Sequence, residues 1–343
     1  MVNQKFRVGI TRDALRDDGK TVFDPVALKV LDDPQIEWEF IPENVKELSA
    51  AHAATYDALC VLMPRTTAAT LSGSNRRLKI VARLGVGYDN VDVPACTANG
   101  VILAITPDGV RRPVATSIVT FILALSHKLF LKDRITRAGR WSETKFHMGE
   151  GLIGKTIGSI GMGNIGSELF RLLAPFNMNL LACDPAKTQT DADKLGVKLT
   201  DMETILMQSD FVCVNCFLSE ETRGLLGERE FNMMKRSAFL INTARGPIVK
   251  EAALYKALID KRIAGAALDV FEQEPAVAEN PLFKLDNVIV TPHSICWTDE
   301  CFRSNAEGAF RAAVAVAKGE VPTYVVNTAV LDHPDVQARI KAK

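Results

Sequence analysis

Arg245 follows the apolar run AFLINTA, Asp269 and Glu274 fall in LDVFEQEP, and His293 closes NVIVTPH. A guanidinium offers a carboxylate a planar, two-pronged partner. An imidazole, with a pKa near neutrality, can give or take a proton. A carboxylate beside it holds one tautomer and favours the protonated ring. Together these types suit reversible proton transfer at a carbonyl or hydroxyl oxygen next to a carboxylate. Arg245 would grip the carboxylate, His293 would serve as acid in one direction and base in the other, and Glu274 would be its partner. Each residue alone has an ordinary reading, as an ion-pair arginine, a structural histidine, or turn and cap acids. His52, His127, His147 and His333 lack such a setting.

A second constellation lies upstream. Gly161, Gly163 and Gly166 form GxGxxG, a weak signal by itself. Here TIGSI precedes it as a strand, and a helix follows with Ile165, Leu169, Leu172 and Leu173 on one face. The strand NLLAC then ends in Asp184. Gly161 permits the tight turn, Gly163 lets a pyrophosphate approach the backbone, and Gly166 lets helix and strand pack closely. Helix amides and dipole favour the phosphate charge. Asp184 stands where an acid grips adenosine ribose hydroxyls and repels a 2′-phosphate. The next residues, Pro185, Ala186 and Lys187, include no arginine, so NAD is expected over NADP.

The elements that carry these residues alternate. FRVGI, WEFI, ALCVL, KIVARL and GVILAITP read as strands, with FDPVALKVL and VKELSAAHA as helices between them. A long helix is expected from about Pro113 to Ala138, marked by Pro113 at its start and Gly139 at its end. A second series of six strands runs through KTIGSIG, LLACD, FVCVN, AFLIN, AGAALDV and NVIVTP. The rhythm implies an α/β fold of two domains, each a parallel sheet flanked by helices. After Thr298 a helix resumes with Phe302, Ala306, Ala309, Phe310, Ala313 and Ala317 on one stripe. This tail is too short for a third domain and is expected to return to the first. The domains are therefore read as 1–110 plus 296–343, and 111–295.

With 343 residues, two cores are expected rather than one. Lys plus Arg and Asp plus Glu each total 41, so no net charge invites nucleic acid or an anionic membrane. The N-terminus lacks the apolar region of a signal peptide, and the run Ile118 to Leu125 is too short to span a bilayer. Seven scattered cysteines suit a reducing cytoplasm. Cys213 and Cys216 form a CxxC inside an apparent strand, where residues three apart face opposite ways. Cys296 and Cys301 have no second ligand pair nearby, and no metal is expected.

LGVGYDNVD, TIGSIGMGNIG, INTARGPIVKEAAL, GAALDVFEQEP and VTPH, in that order over nearly the whole chain, resemble the D-isomer-specific 2-hydroxyacid dehydrogenases. The resemblance implies a discontinuous, flavodoxin-like substrate domain, a central Rossmann NAD domain and a cleft between them. It implies Arg245, Glu274 and His293 as the catalytic set. The amides of Val86 and Gly87, with Arg245, are implied to bind the substrate carboxylate. Asn164, Ile165, Asn215, Thr222, Thr243, Ala244 and Asp269 are implied as cofactor contacts beside the three glycines and Asp184. A homodimer is implied, with the stretch around Trp141 as its arm. The expected reaction is hydride transfer between NAD and a small 2-hydroxy or 2-keto acid, such as glyoxylate or hydroxypyruvate. Glu274 disfavours formate, since formate-specific relatives usually carry Gln there. A non-catalytic NAD-sensing protein of the same fold is the alternative.

The sequence departs from the family at several points. Asn215 and Phe217 stand where relatives read His and Pro, which bears on cofactor affinity more than on chemistry. Met63 replaces a basic residue common in phosphoglycerate-type enzymes. Arg111, Arg112, Arg65 and Arg83 are candidates to reach a second anionic group on the substrate, or else to be solvated or to bridge domains. Trp297 is either a substrate wall or a packing aromatic.

Overall fold

The computed structural model describes residues 5–73 and 75–341. The first four residues of the segment read for a leader lie outside them. The chain forms two compact units, Met1–Val110 with Trp297–Lys343, and Arg111–Cys296.

The discontinuous unit is built on β1 (Phe6–Ile10), β2 (Ile36–Phe40), β3 (Ala58–Val61), β4 (Ile80–Arg83) and β5 (Ile102–Ala104). They pair in parallel in the order β2-β1-β3-β4-β5, the flavodoxin-like arrangement. Alternate residues on one strand serve different cores. Ala58, Cys60, Ile80 and Ala82 join one apolar cluster. Leu59, Val61, Val81 and Leu103 join the other. Both faces are covered, which explains the unbroken apolar runs. The helix Asp299–Ala317 covers the first face with Phe302, Ala306, Ala309, Phe310 and Ala313, as its stripe requires. Thr298 caps it, accepting from the Cys301 amide. Buried Asn327 ties the tail to β5: its Oδ1 accepts from the Leu103 amide at 2.8 Å, and its Nδ2 donates to the Val101 carbonyl at 3.0 Å.

The continuous unit holds β6 (Thr156–Ile160), β7 (Asn179–Cys183), β8 (Lys198–Leu199), β9 (Phe211–Val214), β10 (Phe239–Asn242), β11 (Gly265–Leu268) and β12 (Val288–Val290). All pairs are parallel, in the order β12-β11-β10-β9-β6-β7-β8. The winding reverses between β6 and β9, the place where doubly wound sheets open a ligand crevice at their carboxyl ends.

Four elements differ from the sequence reading. Of VKELSAAHA only the end is helical, the helix running Ala50–Thr55 after the cap Ser49. FDPVALKVL folds as a 3-10 segment, Pro25–Leu31, capped by Asp24. So short a piece gains little from α nucleation and tightens to i→i+3 bonding. The long helix begins at Pro107, carries Pro113 inside, and ends at Ser126. Lys128 is left-handed (φ 53°), and a separate helix runs Leu129–Arg137. The proline that marks the start is thus Pro107, and Pro113 is tolerated within. The one strand of this sheet beyond the six expected, β8, has two residues, too few to show any alternation. By length and mean hydropathy (1.2) Pro107–Ser126 could cross a membrane, yet 61% of that window is buried inside the protein, as a core helix requires.

Phe310 is fully buried and meets Phe23 edge-on, ring centroids 5.6 Å apart. Phe310→Ala is expected to cost about 3–5 kcal/mol. Urea denaturation followed by circular dichroism reads this directly.

Candidate active site

Arg245, Asp269 and His293 follow the carboxyl ends of β10, β11 and β12, three adjacent parallel strands. Glu274 lies on the loop after Asp269. His293 and Glu274 meet: Nδ1 and Oε2 are 2.7 Å apart. An ionised carboxylate only accepts, so the ring nitrogen donates. Glu274 Oε1 accepts from the Phe271 amide at 3.0 Å, which fixes the carboxylate from behind.

The turn that presents the imidazole is held by Asp269. Its buried carboxylate oxygen Oδ1 accepts from the Thr291 hydroxyl at 2.6 Å and from the Ser294 and Ile295 amides at 2.9 and 3.1 Å. Between these anchors His293 adopts φ 53°, a left-handed conformation that histidine visits more readily than most residues. Asp269, implied by resemblance to contact cofactor, thus also positions His293.

Arg245 is placed by Asn242, which is almost fully buried at the end of β10. Asn242 Nδ2 donates to the Arg245 carbonyl and its Oδ1 accepts from the Ala244 amide, both at 3.0 Å. The next residue must be glycine: a Cβ on Gly246 would lie 1.9 Å from the Phe271 carbonyl. This close approach brings the Arg245 loop against the segment leading to Glu274. Arg245 Nη1 donates to the Ala244 carbonyl at 2.7 Å, and its charge acts on both Glu274 and His293.

The bond to Glu274 holds the His293 pKa above its ordinary 6.5; partial burial opposes it, the charges of Glu274 and Asp269 add to it, and that of Arg245 subtracts. For Glu274, burial pushes upward, but the His293 bond, the Phe271 amide and the charges of His293 and Arg245 outweigh it. The carboxyl therefore sits below its ordinary 4.5. Stability from the raised imidazole is full below 6.5 and is lost as pH rises through its folded pKa. Stability from the lowered carboxyl is full above 4.5 and is lost as pH falls. The pair contributes most between those ordinary values.

At the switch point, Gly161 (φ +100°) turns the chain after β6, and a Cβ there would strike the Asn215 carbonyl at 2.7 Å. Gly166 faces the Gly161 carbonyl at similar range. Ser159 Oγ donates to the Gly161 carbonyl at 2.6 Å and accepts from Asn215 Nδ2 at 2.8 Å. Asn215, just after β9, thus braces the glycine turn against β6 through Ser159. Gly163 caps the helix Asn164–Leu173 with no side-chain bond, and a Cβ on it would meet nothing within 4 Å. Open space at a helix N-terminus fits a phosphate group. Asp184, at the end of β7, accepts from the Met162 amide at 2.7 Å and the Ala186 amide at 2.9 Å. The glycine turn, the helix N-terminus without a side-chain cap bond and the acid suit a dinucleotide. Ile165 is half-buried on that helix. Thr222 closes its own loop, donating to the Phe217 carbonyl. Thr243 and Ala244 share the Arg245 loop.

Cys213 ends inside β9, while Cys216 lies beyond it, and burial pushes the Cys216 thiol up to about 11. Among the described residues no cluster could hold a metal. Arg112 pairs with Glu168 at 2.7 Å, and Arg171 joins at 3.1 Å. Trp297 packs edge-on against Phe302, centroids 5.1 Å apart, yet is 51% exposed. Val86 and Gly87 belong to the other unit, on the loop after β4. Sequence reasoning missed Asn242, Thr291 and Ser159. Each is a small polar residue inside or beside an apolar run, with nothing in its spacing to separate it from strand filler.

A profile of the D-isomer specific 2-hydroxyacid dehydrogenase family, for its NAD binding domain, matches residues 119–294. A D-3-phosphoglycerate dehydrogenase from Archaeoglobus fulgidus is 38% identical over 82% of this chain; the match spans about half of that relative's length, 53%. A glyoxylate reductase from Thermofilum pendens is 39% identical over 80% of this chain and 82% of its own. The crystal structure of a glyoxylate reductase from Paecilomyes thermophila has a TM-score of 0.80 at 27% identity, covering 94% of this chain and 98% of that one.

Glu274→Gln and Asp269→Asn should both lower the His293 pKa, the first by more, because Glu274 supplies the largest upward push. A titration of isotopically labelled histidine by NMR reads the two shifts. An unmoved pKa in Glu274→Gln would contradict the pairing.

Proposed function

The chain belongs to the D-isomer-specific 2-hydroxyacid dehydrogenase family, and from that premise we propose that it moves a hydride between NAD and C2 of a small D-2-hydroxy or 2-keto acid, glyoxylate and hydroxypyruvate being the nearest candidates. The observation that carries this reading is the 2.7 Å contact between His293 and Glu274, with the charge of Arg245 acting on both.

The glycine turn, the N-terminus of the helix Asn164–Leu173 and Asp184 would hold the dinucleotide. A nicotinamide held there would be the hydride source for reduction and the hydride acceptor for oxidation. The chain's own residues manage charge and protons. Arg245 matches a carboxylate's two oxygens. In reduction, protonated His293 gives its Nε2 proton to the carbonyl oxygen while Glu274 stabilises the ring through Nδ1. In oxidation, the neutral ring takes the hydroxyl proton back. The raised pKa keeps the acid form available toward neutral pH. The amides of Val86 and Gly87 take the substrate carboxylate in this reading, as two adjacent unpaired N–H groups can. A carboxylate at Asp184 disfavours the 2′-phosphate of NADP. Met63, exposed at the end of β3, supports a substrate without a phosphate.

A homodimer is part of the proposal. Leu129, Phe130, Trp141, Phe146, Met148 and Ile153 are each more than half exposed within one stretch of chain. So dense a run of apolar side chains on a surface marks an interaction face.

Protein, NADH and a panel of glyoxylate, hydroxypyruvate and 2-ketobutyrate should show loss of NADH absorbance with at least one member. His293→Asn should reduce turnover about 10²- to 10⁴-fold while NADH affinity stays put. For reduction, kcat/KM should fall as pH rises through a value above 6.5, and Glu274→Gln should move that limb to lower pH. Silence across the panel, or normal turnover by His293→Asn, sinks the assignment. Light scattering on a sizing column reads the mass of the assembly.

A further inference from the structure

The loop that carries Val86 and Gly87 is fastened from below by a buried cation. Arg83 ends β4 and is only 8% exposed. Its Nε donates to the Gly87 carbonyl at 2.8 Å, and its Nη1 donates to the Val61 carbonyl at 2.9 Å and to the Leu62 carbonyl. The guanidinium therefore joins the end of β3 to the loop after β4. Asn90 repeats the stitch further along, donating to the Met63 and Pro64 carbonyls at 2.9 and 3.0 Å. The Thr106 amide takes the Gly85 carbonyl at 3.0 Å, and the Thr66 amide takes that of Asn90 at 2.9 Å.

The consequence is a sorting of donors from acceptors. The loop's carbonyls at Gly85, Gly87 and Asn90 are drawn into the protein. Among the described residues, the amides of Val86 and Gly87 find no acceptor, and both residues are part-exposed. Two successive unpaired N–H groups make an anion-binding concavity. Directly behind them stands a group that cannot lose its proton. The three-way grip of the guanidinium fixes the loop on which those amides stand.

We propose that Arg83 is a positioning residue for the substrate carboxylate: by gripping the Gly87, Val61 and Leu62 carbonyls it holds the loop that presents the Val86 and Gly87 amides, without touching the substrate. This inference rests on the reading of those amides given above. It differs from the other role open to a basic residue here, direct capture of a phosphate at the substrate's distal end.

The test uses the full-length protein with Arg83→Gln, which removes charge and grip, and Arg83→Lys, which keeps charge but loses the fork. Arg83→Gln should raise KM for glyoxylate and 2-ketobutyrate about 10- to 100-fold, the loss expected for charge-assisted hydrogen bonds. Its kcat at saturation and its NADH affinity should stay within about threefold of wild type, and Arg83→Lys should fall between the two. The carboxylate analogue oxamate, titrated calorimetrically onto the NADH complex, should weaken by the same factor. Unchanged KM and oxamate affinity overturn the proposal, as does a rise in KM confined to 3-phosphohydroxypyruvate. A parallel fall in kcat and NADH affinity reveals a merely structural role and also overturns it. If Arg83→Gln does not fold, Arg83→Lys alone must show the KM rise with kcat preserved. If wild type turns over no keto acid, the proposed reaction fails, and the oxamate ratio alone decides on Arg83; wild type that binds no oxamate overturns both.

Discussion

One buried carboxylate organises the chemistry of the continuous unit. Asp269 accepts three hydrogen bonds on a single oxygen, all from the turn Thr291 to Ile295. Those bonds hold His293 in a left-handed backbone conformation, which would relax at little cost in a free loop. With the turn fixed, the imidazole reaches Glu274. Without it, the pairing that raises one pKa and lowers the other has no reason to persist. The proton-transfer geometry therefore depends on a residue that need not touch the reacting atoms.

The same economy recurs elsewhere. Asn242 holds the Arg245 loop by its own two amide atoms, and Gly246 lets that loop press against Phe271. Ser159 and Asn215 brace the glycine turn across the switch point. Arg83 and Asn90 fasten the loop after β4. In each case a buried polar side chain satisfies backbone groups that would be orphaned where a parallel strand ends. Parallel sheets gather loops at one edge, and these supports turn loops into rigid mounts.

Much of this was legible in the chain. Unbroken apolar runs spaced by helical stretches announce buried parallel strands, and eleven of the twelve strands fall on runs that read as such. Phe302, Ala306, Ala309 and Phe310 show their stripe without any coordinates. What escaped had little local signature. Two-residue β8 exists because β7 offers it an edge. Pro113 looks like a helix start, but packing extends the helix back to Pro107. Arg83 reads as a possible substrate ligand until its carbonyl partners are seen.

The sequence by itself determined the two parallel sheets, the glycine turn with its acid, and the residue types able to move a proton beside a carboxylate. These follow from periodicity and from chemistry intrinsic to each side chain. Only the tertiary structure decided which groups meet. Glu274 pairs with His293 across 19 residues of chain, Arg112 is engaged by Glu168, and Arg83 grips backbone at the ends of two neighbouring strands. Such contacts depend on how strand ends align and which polar groups burial leaves unpaired. No local pattern encodes either, because both are properties of the closed sheet.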